Sequence, residues 1–228
     1  MNDTVVRLRG LERKADPSHA ALIVIDMQND FCAEGGMMHN EGRNLSQVQE
    51  MAGRLTNLID AARDAGVFVV FVRNTYSTPD NWYLSDAWLE QAERRRAGSY
   101  TERPVCAPGS WNFDFYGAVR PLESEPIVTK HRFSAFHNTD LDTILRSRQI
   151  RTVVATGVAT NVCVETTVRD AFIRDYYVLV VEDATATYSP EEHRASLATI
   201  DRYFGEVVTS DQVVKIWSRT SSSTRSRA

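Results

Sequence analysis

The sequence lacks an apolar segment long enough to cross a membrane. It contains no run of about 18 consecutive apolar residues, which is the length that a spanning helix needs. Hydrophobic residues make up 43% of the 228 and charged residues 25%, the composition of an ordinary globular protein. Residues 1–10 also lack the order of basic and then apolar residues that marks a secretory signal. We therefore expect a soluble, cytoplasmic protein.

Cysteine is scarce, and its pattern disfavours two kinds of site. Cys32, Cys106 and Cys163 are an odd number and form no CxxC pair, which argues against a disulfide framework and a zinc knuckle. We expect three reduced thiols. A net charge of −4 spread along the chain provides no basic face for nucleic acid. The expected partner is a small-molecule substrate, with no nucleic acid and no membrane.

The feature around which the chain is organised is segment 152–169, which contains Cys163. β-Branched residues end at Gly157, and a helical pattern begins near Thr160. We expect Cys163 in the first turn of a helix, where free backbone N–H groups and the helix dipole favour a thiolate, the form that attacks a carbonyl carbon. A small buried cysteine explains the residue equally well when it is taken alone.

Two other strand-like runs end in residues that could assist such a nucleophile. Run 19–26 ends in an acid and run 125–130 ends in a lysine. Parallel strands end at the same edge of a sheet, where open α/β folds bind their ligands. There Asp26 could take the thiol proton and Lys130 could stabilise negative charge. Taken singly, the first is also explained as a turn residue and the second as a solvated strand end.

Alternating strand and helix patterns predict an α/β protein. Residues 18–217 are expected to form one domain, preceded by an N-terminal extension (1–17) and followed by a disordered, serine-rich tail (218–228). We expect loop 27–38 to cross the mouth of the crevice at the sheet edge. Residues 73–125 are aromatic-rich and irregular, and such segments often determine substrate selectivity. A packed surface excursion or a subunit contact is the alternative for this insertion.

Three motifs in this order are similar to those of the isochorismatase-like cysteine hydrolases. They are ALIVIDMQNDF at 21–31, the lysine that ends run 125–130, and TGVATNVCVETTVRDA at 156–171. The resemblance covers about residues 18–217. It implies a single-domain, three-layer Rossmann-like fold with a six-stranded, mainly parallel sheet flanked by helices.

The resemblance also assigns catalytic roles. It implies a triad of Asp26, Lys130 and Cys163, in which the thiolate attacks a ureido or amide carbonyl. The backbone N–H groups of Ala159 and Cys163 are the implied oxyanion hole. A cis peptide bond between Val158 and Ala159 is expected to aim the first of these donors.

Within the family, KHRFSAFHNTDL at 130–141 and NVCVETT at 161–167 are most similar to the ureidoacrylate amidohydrolases, and N-carbamoylsarcosine amidase is a neighbour in chemistry. This implies an enzyme of nitrogen metabolism that cleaves a C–N bond of a small ureido, carbamoyl or amide substrate through a thioester and releases ammonia. A hydrolase of biuret, triuret or another amide is an alternative, as is a catalytically silent homologue that binds a small molecule. A thiol redox protein would need a resolving cysteine near Cys163, and the sequence places none there.

Two departures separate the chain from other members of the family. Nicotinamidases carry an Asp-x-His metal motif after the second strand, but that place reads RNTYST at 73–78, so we expect no metal and no cofactor. True isochorismatases hydrolyse a vinyl ether and lack the nucleophilic cysteine. Cys163 therefore favours amide chemistry.

The expected substrate-binding side chains follow strand ends or lie in the aromatic-rich insertion: Gln28, Phe31, Asn74, Tyr76, Trp82, Phe133 and Phe136. The ureidoacrylate enzymes are expected to carry a tryptophan near Tyr76 and a tyrosine near Phe133. A related ureide, a carbamoyl compound or a simple amide is therefore an equally good substrate. The resemblance implies a homodimer or homotetramer, with the insertion as the candidate interface.

Overall fold

The structure, a computed structural model, describes residues 7–94 and 104–225. Six strands in this part of the chain form one sheet: β1 (Ala20–Ile25), β2 (Phe68–Asn74), β3 (Ile127–Lys130), β4 (Thr152–Val158), β5 (Tyr177–Ala186) and β6 (Glu206–Val208). Their order is β3-β2-β1-β4-β5-β6. All neighbouring pairs are parallel, so the sheet is wholly rather than mainly parallel.

Helices flank the sheet: α1 (Leu11–Lys14), α2 (Asn29–Cys32), α3 (Met37–Asn40), α4 (Ser46–Asp64), α5 (Asp86–Arg94), α6 (Leu141–Ser147), α7 (Glu165–Ile173), α8 (Pro190–Tyr203) and α9 (Ser210–Arg225). This arrangement is the predicted α/β fold. Within the described ranges, every helix is too short or too polar to pass through a lipid bilayer.

Continuous apolar runs give the central strands two buried faces. All six residues of β1 are buried. Leu22 belongs to the core that includes residues of α4, whereas Ile23 belongs to the core that includes residues of α6 and α7. A strand covered on both sides cannot alternate polar and apolar residues, which is why the sequence shows an unbroken hydrophobic run here.

The site-forming edge of the sheet lies where the strand order reverses. From β1 the chain builds outward to β2 and β3 on one side, and from β4 to β5 and β6 on the other. Ligands bind at such switch points, beyond the carboxyl ends of the strands. Gly157 of β4 pairs with Ile25 of β1, has φ +101°, and a Cβ there would lie 2.1 Å from the Ile25 carbonyl oxygen. Only glycine permits this approach.

The Asp30 carboxylate joins two distant segments above this edge. It is buried in α2 and accepts hydrogen bonds from the backbone N–H groups of Met37, at 2.9 Å, and Cys106, at 2.6 Å. The side-chain amide of Asn112 donates to it as well. Because a buried carboxylate needs such donors, Asp30 fixes α3 against the end of the irregular insertion.

The first and last segments of the described chain pack together. Leu8 and Ala15, in the segment expected to be an extension, are buried. The indole N–H of the fully buried Trp217 donates to the Ala15 carbonyl at 2.9 Å. α9 continues from this anchor to Arg225, into the segment predicted to be disordered. Residues 1–6 and 226–228 of the predicted extension and tail lie outside the described residues.

Candidate active site

The three residues predicted to form a triad converge at the switch point. Asp26 follows β1 with φ 53°, a left-handed conformation that aspartate adopts more readily than most residues. Lys130 ends β3, and its Nζ lies 2.7 Å from Asp26 Oδ2 and 3.4 Å from Cys163 Sγ. The same ammonium donates to the Arg132 carbonyl at 3.0 Å. One lysine therefore contacts both the acid and the sulfur, although β2 separates its strand from β1.

Burial determines the protonation of the triad. Asp26 and Lys130 are almost completely buried, and Cys163 is 7% exposed. Burial raises the pKa of Asp26 despite the opposing charge of Lys130. Burial alone would lower the pKa of Lys130, but the adjacent Asp26 and Cys163 more than offset it, so that this pKa is raised. The resting site therefore holds an ammonium beside a carboxylate of increased basicity.

The expectation of a thiolate favoured by its position is wrong for the free protein. Cys163 lies in a π-helical turn, Thr160–Val164, that precedes α7. Burial, followed by the charge of Asp26, outweighs the effect of Lys130 and raises the pKa of Cys163 to about 12. Burial also raises the pKa of Cys32 and that of Cys106. What distinguishes Cys163 is its access to a cavity and its neighbouring base.

A cavity of about 110 Å³ opens above the triad. Asp26, Cys163 and Ala159 line it, so the acid, the sulfur and one predicted oxyanion donor face the same space. The expected cis peptide bond between Val158 and Ala159 is present. A carbonyl compound bound here would contact the sulfur and the turn that carries both predicted N–H donors.

Three of the seven side chains predicted to bind substrate line this cavity: Phe31, Tyr76 and Phe133. The last two form an edge-to-face pair with ring centroids 6.5 Å apart. Aromatic pairs of this kind pack rigidly, so they form a fixed apolar wall. A role in binding substrate remains a prediction for all three.

Gln28 and Asn74 do not line the cavity, because they hydrogen bond to each other at the buried ends of β1 and β2. The fully buried Gln28 amide nitrogen donates to the carbonyls of Asn74, at 3.0 Å, and Phe113, at 2.9 Å. Its oxygen accepts from the Asn74 N–H at 2.6 Å. Gln28 thereby ties the end of β1 to β2 and to the 3₁₀ turn Trp111–Phe113. Asn74 is itself fully buried at the end of β2.

The other two predicted residues also lie elsewhere. Trp82 is 81% exposed, since it precedes α5 in a surface loop. Phe136 is buried in the core that includes residues of α6 and α7, where its ring centroid lies 5.9 Å from that of Tyr176. Neither side chain reaches the cavity.

Most of the other lining residues were not predicted from the sequence to bind substrate: Met37, Met38, Glu41, Arg43, Asn161, Val162, Thr187, Tyr188 and Glu192. Met37 and Met38 lie in the loop that was expected to cross the crevice, and Glu41 and Arg43 follow it. The last three follow β5 or lie in α8. Asn161 and Val162 are the two residues before the predicted nucleophile. Their place in the quoted motif was the one sequence signal that could have assigned them to the site.

Among residues 7–94 and 104–225, no group of three or more His, Cys, Asp or Glu side chains is arranged to hold a metal ion. Residues 73–78, at the end of β2 and just after it, read RNTYST and contain no histidine. That the reaction needs no metal remains a prediction from the sequence.

The chain is similar to known proteins in both sequence and structure. The sequence model of the isochorismatase domain matches residues 20–212. Ureidoacrylate amidohydrolase RutB from Methylobacterium radiotolerans is 38% identical over 202 residues, which cover 84% of this chain and 77% of that protein. A cysteine hydrolase structure from Pseudomonas syringae pv. phaseolicola 1448A superposes with a TM-score of 0.77 at 31% identity, covering 90% of this chain and 94% of the other. N-carbamoylsarcosine amidase from Thermoplasma acidophilum has a TM-score of 0.64 at 27% identity, with 85% and 97% covered.

Proposed function

The chain belongs to the isochorismatase family and is an amidohydrolase that acts on non-peptide C–N bonds, and we propose that it cleaves a small ureido, carbamoyl or amide substrate through a thioester on Cys163. The observation that carries this proposal is the convergence of three groups at the cavity floor. Lys130 Nζ lies within 2.7 Å of Asp26 Oδ2 and 3.4 Å of Cys163 Sγ.

In the proposed first half-reaction Asp26 takes the Cys163 proton as the sulfur attacks the substrate carbonyl. The raised pKa of Asp26 makes this carboxylate a better base than an exposed one. Lys130 stabilises the negative charge that develops nearby. The N–H groups of Ala159 and Cys163 hold the oxyanion, and loss of one such donor typically costs about 3–4 kcal/mol.

The second half-reaction returns the proton and releases the products. Protonated Asp26 donates to the departing amine, the C–N bond breaks and ammonia leaves, so that the acyl group remains on sulfur. The same carboxylate then accepts a proton from a water molecule that attacks the thioester. As the C–S bond breaks, Asp26 gives this proton to the sulfur, which restores the Cys163 thiol and the Asp26 carboxylate and frees the acid product.

Charged groups at the cavity support an acidic ureide within this substrate class. Arg43 lines the cavity, and no described residue forms a salt bridge with its side chain. Glu41 and Glu192 also line the cavity. A guanidinium suits a substrate carboxylate, whereas carboxylates suit the N–H groups of a ureido moiety. Ureidoacrylate, the compound in the name of the RutB relative, carries both a carboxylate and a ureido group.

Ammonia release from a panel of ureides, carbamoyl amino acids and simple amides tests the proposal. Each acidic compound should be paired with its neutral amide, and we expect the acidic ureides to react fastest. Cys163→Ala should abolish turnover and Cys32→Ala should retain it, because Cys32 lies outside the cavity lining. Mass spectrometry of acid-quenched enzyme should detect an acyl adduct on Cys163.

Two results would contradict the proposal. Turnover by Cys163→Ala at the wild-type rate would remove the nucleophile. Thermal stabilisation by a ureide without ammonia release would favour the catalytically silent binding homologue.

We also propose a cytoplasmic homodimer or homotetramer. All three cysteines are free and buried, in keeping with a reducing compartment. The exposed tryptophans of the insertion support association between subunits.

A further inference from the structure

Helix α8 contacts the turn that carries both predicted oxyanion donors. Thr160, the first residue of that turn, is fully buried. Its hydroxyl oxygen lies 2.9 Å from His193 Nδ1, and its carbonyl accepts a hydrogen bond from the Ser196 hydroxyl at 3.2 Å. Because Thr160 directly follows Ala159, these contacts fix the peptide next to the first donor.

α8 is itself held firmly at this end. The Ser189 hydroxyl accepts from the Glu192 N–H at 3.3 Å and caps the helix, and Pro190 occupies its first turn, where its fixed φ suits a helix. The Ser196 hydroxyl also lies 2.6 Å from Glu165 Oε2, at the start of α7. The contact partners of Thr160 are therefore parts of rigid elements.

We propose that His193 is a positioning residue that acts through the Thr160 hydroxyl and holds the Ala159 N–H in place for the oxyanion. The inference rests on the proposed function, because it assumes that a tetrahedral oxyanion forms in this cavity. His193 itself does not line the cavity, so its effect passes through the turn. No other side chain in the described ranges hydrogen bonds to the Thr160 hydroxyl, and a buried hydroxyl without a partner is costly.

The protonation of His193 suits this role. Burial, followed by the charge of Arg194, lowers the pKa of His193, so the ring is neutral near pH 7. In a neutral imidazole one ring nitrogen donates and the other accepts. Because a hydroxyl can both donate and accept, either tautomer allows a hydrogen bond between Nδ1 and the Thr160 hydroxyl.

Four variants test the proposal. His193→Ala should lower kcat by about ten- to a hundredfold with little change in KM, because small misplacement of a catalytic group has effects of this order. His193→Asn places an acceptor near the position of Nδ1 and should restore most of the rate, whereas His193→Gln, which mimics Nε2, should not. Thr160→Val, nearly equal in shape, should show the same loss.

The double variant His193→Ala/Thr160→Val should be no slower than either single one, since the two residues form one interaction. Glu191→Ala is the matched control, because this exposed residue lies in the same first turn of α8. It should keep the wild-type kcat.

A thiol probe separates positioning from general damage to the turn. Methyl methanethiosulfonate reacts at sulfur without forming an oxyanion, so its rate with Cys163 should be unchanged in His193→Ala. An unchanged kcat in that variant, equal rescue by asparagine and glutamine, or a parallel fall of probe rate and kcat would overturn the inference. If His193→Ala does not fold, Thr160→Val decides by the same measurements. Failure of the proposed function shows instead as turnover that survives Cys163→Ala.

Discussion

At the scale of single residues, catalysis depends on which member of the triad carries the proton. Lys130 and Asp26 form an ion pair of 2.7 Å with almost no exposure to solvent. The thiol of Cys163 has a raised pKa, so a preformed thiolate is not the resting state. In the proposed mechanism Asp26 is therefore a carboxylate at the start of each turnover, and it becomes an acid only while the thiolate is forming the bond to carbon.

This requirement predicts the acid limb of the pH profile. Asp26 loses its capacity as a base when it is protonated, and because its pKa is raised, this happens at a higher pH than the ordinary 3.8. As pH falls, kcat/KM should decrease before that value is reached, and Asp26→Asn should have no measurable turnover. Rates measured from about pH 4 to about pH 9 give the limb. Full activity sustained down to the ordinary aspartate range would contradict this assignment.

Gln28 should prove to be structural, in contrast to Arg43. Gln28→Ala removes two hydrogen bonds to Asn74 at the end of β2 and one to the 3₁₀ turn, so the free energy of unfolding should fall by about 2–4 kcal/mol. Arg43→Gln should leave stability unchanged, because the side chain is exposed. It should raise KM for an acidic ureide more than for the matching amide. Chemical denaturation and paired KM values measure both effects, and a stable Gln28→Ala with a raised KM would reverse the assignment.

At the scale of elements, the junction of β1 and β4 sets the geometry of the site. Asp26 follows β1, and Gly157 lies near the end of β4, shortly before the turn that carries Cys163. These strands pair through Ile25 and Gly157. The distance between acid and nucleophile is therefore set by backbone pairing, to which the Lys130 side chain adds its contacts.

Gly157→Ala should separate these strands. The added Cβ would meet the Ile25 carbonyl oxygen at 2.1 Å, at a φ of +101° that disfavours side chains. We expect the free energy of unfolding to fall by more than about 3 kcal/mol and activity to be lost. Gly53→Ala is the control: it lies in α4 with no atom within 4 Å of the new Cβ, and alanine there should be neutral or stabilise by up to about 1 kcal/mol. Equal behaviour of the two variants would show that the approach of β1 to β4 is not critical.

The strands could be predicted because each one is locally encoded. A buried parallel strand is an unbroken apolar run, and β1 shows one. The start of the helix at Cys163 could be placed, but its π-helical form could not be predicted from the local pattern. Its first residue, Thr160, contacts His193 of α8, 33 positions away. No local pattern encodes such a contact.

At the scale of the whole molecule, the difference between local patterns and contacts that are distant in sequence also explains which parts of the candidate site could be predicted. The triad could be predicted because strand ends meet at one edge of a parallel sheet, and the quoted motifs identified which ends to choose. The lining by Arg43 could not, because Arg43 follows α3, which is held in place by Asp30 and by the contact of Asp30 with Cys106 of the insertion, 76 positions away. Trp82 was wrongly expected in the pocket, because an aromatic residue in an insertion is equally compatible with a pocket, a core or a surface.

The exposed aromatics of the insertion lead to a prediction about assembly. Trp82 is 81% and Trp111 52% exposed, and exposed tryptophans are enriched at interfaces between subunits. We expect a dimer or tetramer in sedimentation velocity at micromolar concentration, and Trp82→Ser/Trp111→Ser should shift it toward smaller species. Ile173→Ser is the control, because that side chain is 73% exposed but lies in α7, outside the insertion. A wild-type monomer would remove the proposed assembly, whereas dissociation by the Ile173 variant alone would move the interface to α7.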